Sequence, residues 1–197
     1  MARRFFTADF HLGMSKILEY SHRPFKTVEK MNAALVRSCN ERAKEEDIII
    51  HVGDFCQYGD DRGVEGMKVN PAEYIKQIKP TFVNLQGNHD LNNKTPCLCK
   101  SMRTSLGKLF PDVSVSHYPS YDSRAAGTFK VGDIHVHGHR HSGKVITIDE
   151  EHRVLNLNVG VDLWNYKIVS EQELIEYLLK FLRTNDFFKK FRVKNIG

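Results

Sequence analysis

Ile48-Ile49-Ile50-His51-Val52 is apolar nearly throughout. A run with no polar face predicts a strand buried on both faces of its sheet, which places the chain among α/β architectures. The run stops at Gly53-Asp54, and four other short apolar runs stop in the same manner. Arg4–Ala8 passes into Asp9-Phe10-His11, and Thr81–Leu85 into Gly87-Asn88-His89-Asp90. Val113–Ser116 passes into His117-Tyr118-Pro119, and Val131–Val136 into His137-Gly138-His139-Arg140-His141. Each pattern reads as a strand that delivers polar side chains at its tip.

Helical signals separate the early strands. Thr27 is placed as an N-cap, with Glu29 in the first turn. Val28, Met31, Leu35, Cys39 and Ala43 then recur at helical spacing, making one buried face that takes Cys39 into the core. Met14 to Pro24 reads as a loop or short helix, and Pro71 opens a short helix over Ala72–Lys79. A helix is expected within Cys97–Phe110. Lys144–Asp149 and Arg153–Val159 read as two more strands. Ser170 and Glu173 form a capping box before Leu174, Leu178, Phe181 and Leu182. Strand and helix alternate in the first half, and strands dominate the second. That order predicts mixed sheets with helices outside them, in one α/β domain spanning 1–197.

A length of 197 residues suits one sizeable core. No stretch approaches the ~20 apolar residues of a membrane span. The basic N-terminus has too short an apolar run for a secretion signal, so no membrane partner is expected and the cytoplasm is the default compartment. The four cysteines do not suggest a disulfide framework, and Cys97-Leu98-Cys99 lacks the second pair that a zinc site needs. Cys56 is expected beside the active site. The net charge of +5 suits a phosphate-bearing or nucleic-acid partner, but also a plain basic surface. The same two readings hold for the tail, where Lys189, Lys190, Arg192 and Lys194 interleave with Phe187, Phe188 and Phe191.

Open α/β sheets gather ligands beyond the carboxyl ends of their strands. The five strand ends would therefore bring Asp9, His11, Asp54, Asn88, His89, His117, His139 and His141 into one cleft. Five of the ten histidines fall directly after apolar runs, where chance would scatter them. Asp, Asn and His are ligands for divalent metals such as Mn²⁺, Fe²⁺ or Zn²⁺. Seven such groups, setting His89 aside, exceed one tetrahedral zinc and suit two metals sharing a carboxylate. Two metals ~3.5–4 Å apart can clamp a phosphate and lower the pKa of a water between them. Asp54 is the expected bridge. His51, His135 and His137 alternate with apolar residues and read as core or supporting histidines. His22 is expected to be exposed. Arg23 is a candidate phosphate contact, because its planar fork fits oxyanions; it also reads as a loop anchor beside Pro24.

Asp9-x-His11, Gly53-Asp54, Gly87-Asn88-His89-Asp90, His117 and Gly138-His139-x-His141 stand in the order of the calcineurin-like metallophosphoesterase family, which the chain resembles. Ser21-His22-Arg23-Pro24-Phe25, Val52-Gly53-Asp54-Phe55 and Asn158-Val159-Gly160-Val161-Asp162 resemble its compact bacterial and phage branch. Met14 departs from that branch, where a histidine often follows this glycine. The resemblance implies a four-layer αββα sandwich, two mixed β-sheets flanked by helices. It also implies that Asp9, His11 and His141 hold a first metal, that Asn88, His117 and His139 hold a second, and that Asp54 bridges. Manganese is the first expectation, with iron, zinc, nickel or magnesium as alternatives. His89 would face the scissile phosphate as acid or charge stabiliser, and Asp90 would orient it through a ring N–H.

The implied activity is hydrolysis of a phosphate ester by metal-activated water, a phosphodiesterase before a monoesterase. A nuclease acting on DNA or RNA is the alternative within enzymes. A catalytically silent binding protein on the same fold is the alternative outside them, but such a protein should have lost ligands or His89. Substrate choice is assigned to the loops Gly59–Asn70 and Tyr121–Gly127. The oligomeric state is left open.

Overall fold

The computed structural model describes residues 2–57 and 70–185. The loop from Tyr58, apart from Asn70, and the basic phenylalanine-rich tail lie outside the described residues.

Successive residues of a strand face opposite sides of its sheet, and Phe5 and Phe6 show what this chain does with the two sides. Both lie on β1 (Arg4–Thr7). Phe5 joins Ile49 of β2 (Ile48–His51) against Met31, Leu35 and Cys39 of α2 (Val28–Arg42). Phe6 joins Ile50 against Val113, Val136, Leu155 and Leu157 of a second sheet. One sheet thus has a helix on one face and a sheet on the other. Each fully buried side chain of this size contributes ~1.5–3 kcal/mol of transfer free energy. The spacing of Met31, Leu35 and Cys39 is why α2 is helical and lies here, and Thr27 caps it by accepting the N–H of Lys30. A short α1 (Ile17–Tyr20) precedes it.

The first sheet has the order β3-β2-β1-β9. Its strands β1, β2 and β3 (Thr81–Asn84) are parallel, and β9 (Val169–Ser170) is an antiparallel edge. A short α3 (Pro71–Ile75) precedes β3, with Asn70 as its cap. The second sheet has the order β4-β5-β6-β8-β7. It comprises β4 (Ser101–Leu106), β5 (Phe110–Ser116), β6 (Ile134–His137), β7 (Ile146–Asp149) and β8 (Val154–Asn158). Strands β5, β6 and β8 are parallel, with antiparallel partners at both edges. The last helix, α4 (Glu171–Thr184), begins at the expected capping box and seats Leu174, Ile175 and Leu178 in the core between the sheets. The architecture is α/β, two mixed sheets with flanking helices.

Register explains the second sheet's two faces. Val115, Val136 and Leu157 align in one row that faces the first sheet. Ser114, His135 and Asn156 align in the next row and face outward. This polar row is nonetheless buried, because the chain after β5 folds over it. Tyr118 O lies 2.9 Å from His135 Nε2, the Ser120 N–H donates to Asn156 Oδ1 at 2.8 Å, and Thr128 Oγ1 meets Ser116 Oγ at 3.0 Å. Within that covering segment the helical structure is a single 3₁₀ turn, Ser123–Ala125.

The helix expected within Cys97–Phe110 is instead β4 and a tight turn at Gly107, where φ is +58°. Pairing with β5 decides it: Met102 sits opposite Val115 and Thr104 opposite Val113, so the segment gains a ladder and an apolar face that local composition does not announce.

Ala8 and Gly160 form a parallel bridge between the continuations of β1 and β8. The six parallel strands among the described residues therefore end at one edge of the two-sheet core, and their polar ends meet there.

Candidate metal centre

The ends of the strands break sharply. Asp9, His11, Asp54 and His139 all take left-handed backbone conformations, with φ of +61°, +50°, +59° and +67°. Such conformations cost non-glycine residues ~1–3 kcal/mol each and persist only where the surroundings enforce them. Here the two β-turn paths enforce each other: the N–H groups of Asp9 and His11 donate to the carbonyls of Gly53 and Asp54, each at 3.0 Å.

Asp90 reinforces the same turns from behind. Its buried carboxylate accepts three backbone N–H groups, from Asp54 at 2.7 Å, Gly87 at 2.8 Å and Phe55 at 3.0 Å. The expectation that Asp90 aims the ring of His89 is thus corrected: both carboxylate oxygens are committed to backbone donors. Asp90 ties the end of β2 to the end of β3.

Glycines let the carboxylates in. A Cβ on Gly87 would lie 2.2 Å from Asp54 Oδ1, and one on Gly160 would lie 2.7 Å from Asp9 Oδ2. A Cβ on Gly138 would meet that same Asp9 oxygen at 2.9 Å. Two backbones therefore approach Asp9 closely, one from β6 and one from β8.

The expected ligands converge. Asp9, His11 and His141 form one group, His11, Asp54 and His89 a second, and Asp54, His117 and His139 a third, each with ligand atoms within 4.8 Å of one another. Asp54 belongs to two of the three. Its Oδ1 accepts the N–H of His89 at 2.8 Å, while Oδ2 lies 3.2 Å from His117 Nε2 and 3.7 Å from His11 Nε2. His117 Nδ1 lies 2.9 Å from the carbonyl of Val52, which turns Nε2 toward Asp54 and toward Asn88 Oδ1 at 3.1 Å. His89 is half-buried and stands edge-on to His11, ring centres 5.0 Å apart.

Several polar atoms here have no hydrogen-bond partner among the described residues: Asp9 Oδ2 and both ring nitrogens of His11, all buried. Orphaned donors and acceptors of this kind are rare in native interiors. Together with the donor set, mixed nitrogen and oxygen around shared carboxylates, they fit a divalent cation.

Electrostatics runs the same way. Burial pushes Asp9 up to about 6 against the opposing charges of His117 and His141. Burial also opposes ionisation of Asp54, yet the hydrogen bond from His117 and the charges of His117, His11 and His89 hold its carboxyl well below the usual range. Burial works against a charged His117 as well, but Asp54 and Asp9 raise its pKa to about 9. Asp54 and Asp9 thus hold a proton on the buried His117 where a cation would serve.

Arg23 does not line this centre as a phosphate contact. Its guanidinium is fully buried: Nε and Nη2 donate to both oxygens of Asp162 at 2.8 Å, Nη1 to Phe10 O at 2.9 Å, and Nη2 to Asp9 O at 2.7 Å. It is the loop anchor, holding the backbone on which Asp9 and His11 ride. Its partner Asp162 is not among the site residues expected from the sequence. Asp162 Oδ2 also meets His141 Nδ1 at 2.7 Å, which leaves Nε2 of that ring for the centre. The signal was present, since Asp162 follows the apolar run of β8 just as the other ligands follow theirs. His51, His135 and His137 are buried, and Nδ1 of His51 lies 2.7 Å from Asn84 Oδ1. Cys56 is buried among the apolar residues beneath α2, two positions from Asp54, and Cys39 lies in the same core.

An uncharacterized protein of Methanocaldococcus jannaschii is 24% identical over 189 residues, covering 91% of this chain and 93% of its own length. A protein of unknown function from Aquifex aeolicus shares the fold with a TM-score of 0.67 at 21% identity, over 90% of this chain and 100% of that one. The phosphoesterase YfcE of E. coli aligns at a TM-score of 0.42 and 16% identity, over 79% of this chain and 78% of that one. The sequence model of the calcineurin-like phosphoesterase superfamily domain matches residues 6–165, and the chain belongs to that superfamily.

Proposed function

We propose that the chain is a metal-dependent phosphodiesterase with a two-metal centre. The observation that carries the reading is the convergence of Asp9, His11, Asp54, His117, His139 and His141 around buried atoms with no hydrogen-bond partner among the described residues. Asp9, His11 and His141 would hold one ion, Asn88, His117 and His139 the other, and Asp54 would lie between them, with manganese the first candidate. Such ions supply Lewis-acid polarisation of a phosphoryl oxygen and a lower pKa for the attacking water.

The chain's own groups do the rest. His89 is half-buried at the edge of the centre and carries a ring free to face a substrate. In hydrolysis the water oxygen would form the new P–O bond and give up a proton to solvent, the ester P–O bond would break, and the leaving oxygen would take the proton of His89, which solvent then replaces. Before that step the ring N–H of His89 would offset charge on the phosphoryl oxygens. Asp90 and Arg23 act at one remove, by fixing the turns that carry Asp54 and Asp9. Burial of these side chains keeps bulk water away from the ligands.

Turnover of bis-p-nitrophenyl phosphate with Mn²⁺, alongside p-nitrophenyl phosphate, tests the proposal. The diester should be the better substrate. Absence of turnover of the diester, with metal shown to be bound, would overturn it.

A further inference from the structure

Beside the metal centre the surface sinks into a cleft of about 330 Å³, opening from Asn88 and His117 and extending past Tyr118 and Arg124 to Lys100 and Thr128. None of Tyr118, Arg124, Lys100 and Thr128 belongs to the metal-binding groups. A cleft of this size exceeds what one phosphate fills and suits a group of nucleoside size. Its lip is apolar at Leu91, which is 69% exposed.

Its two cations differ in what they offer. Arg124 is held in place. Asp122 takes its Nε at 2.8 Å and its Nη2 at 2.6 Å, and caps the 3₁₀ turn that carries it. The guanidinium lies over the ring of Tyr118, 4.2 Å from its centre. Nη2 also approaches His139 Nε2 at 3.0 Å. Asp122 balances this charge, so Arg124 brings fixed N–H donors rather than net charge. Lys100 is the opposite case. It is exposed, immediately precedes β4, and has no hydrogen bond or ion pair among the described residues. It leaves an unbalanced positive charge on the cleft.

A phosphate at the metals needs neither cation. A second anion on the same substrate would enter a cleft lined by both. We infer that this cleft is a subsite for a nucleoside carrying a second phosphate, with Lys100 and Arg124 as its specificity determinants. The inference rests on the phosphodiesterase reading and names its substrate class. The second phosphate is either a terminal monoester or the next linkage of a polynucleotide, and both present anionic oxygens to charge-assisted donors.

The test uses Mn²⁺-loaded protein and three chromogenic esters. They are bis-p-nitrophenyl phosphate, the p-nitrophenyl ester of thymidine 5′-phosphate, and that ester with an added 3′-phosphate. The 3′-phosphate should raise kcat/KM by about tenfold, through KM. Lys100→Ala and Arg124→Ala should each remove most of that gain, and Lys100→Arg should restore it. A single-stranded trinucleotide separates the sources: preference for it over the 3′-phosphorylated ester assigns the subsite to the next linkage of a chain. Calorimetric titration with thymidine 3′,5′-bisphosphate gives a readout free of turnover. It should bind about tenfold tighter than thymidine 5′-phosphate, and that margin should vanish in Lys100→Ala. Equal handling of the three esters, or a gain that survives in both alanine variants, overturns the subsite. If the bis-ester is not turned over, the phosphodiesterase reading fails, and the bisphosphate titration alone then upholds or overturns the subsite.

Discussion

The carboxylate of Asp162 joins Arg23 to His141: Oδ2 is 2.8 Å from Arg23 Nη2 and 2.7 Å from His141 Nδ1. One buried residue at the end of β8 therefore supports both the loop that carries Asp9 and the ring that faces the centre. Its two roles can be separated by substitution. Asp162→Asn keeps the shape but weakens the anchor on His141, and loss of such a supporting group costs ~10–100-fold in metal affinity. Calorimetric titration with Mn²⁺ should show this loss while the circular dichroism spectrum is retained. Asp162→Ala also leaves the buried Arg23 guanidinium without its carboxylate, which destabilises by ~3–5 kcal/mol. Its urea midpoint should fall well below that of Asp162→Asn.

Gly87→Ala tests the close approach of backbone to carboxylate. The added Cβ would stand 2.4 Å from Asp54 N and 2.8 Å from its Cγ, and neither the backbone nor a buried side chain can give way cheaply. Displacing Asp54 by even ~1 Å costs about 10²-fold in rate. Turnover of bis-p-nitrophenyl phosphate should drop by that order, with weaker Mn²⁺ binding in parallel. Near-normal kinetics in this variant would mean that Asp54 does not need its present position.

How far such features could be read from the chain depends on how local their cause is. The strand ends were legible because an apolar run and its polar stop are contiguous, as in Ile48 to Asp54. The capping box at Ser170 and Glu173 was legible for the same reason. Arg23 read equally well as phosphate contact or anchor, because its partner Asp162 lies 139 positions away. Asp90 offered a neighbour, His89, and took instead the N–H groups of another turn, which no local pattern reveals. The β4 segment reads as ambiguous until β5 pairs with it. For Arg23 and Asp90 the deciding contact is long-range, and for β4 it is a pairing with the next strand rather than a pattern within the segment.

Metal loading should release protons. His117 is raised from the usual 6.5 to about 9, burial opposing the shift and Asp54 driving it. A group whose folded pKa exceeds its unfolded value stabilises the chain fully below the unfolded pKa, and that contribution is lost as pH rises through the folded one. The metal-free protein should therefore lose stability between about pH 6.5 and 9. A cation needs the neutral ring and displaces its proton. Apparent Mn²⁺ affinity should thus climb by up to about tenfold per pH unit across that window. Titrations at pH 7.5 in buffers of unlike ionisation enthalpy should report release of about one proton from this residue. Buffer-independent heats would count against His117 as a ligand.

His89→Ala separates proton transfer from metal binding. His89 shares a group with His11 and Asp54, so its ring is near enough to serve as a ligand, yet it is half-buried where His11 is buried. Its backbone N–H, which holds Asp54 Oδ1, is untouched by the substitution. If the ring acts as acid, kcat for the diester should fall by ~10²–10⁴-fold while the Mn²⁺ stoichiometry and affinity remain those of the unsubstituted chain. An ester with a better leaving group needs less protonation, so the loss should shrink as the leaving-group pKa falls. A uniform loss across leaving groups, accompanied by missing metal, would instead make His89 a ligand.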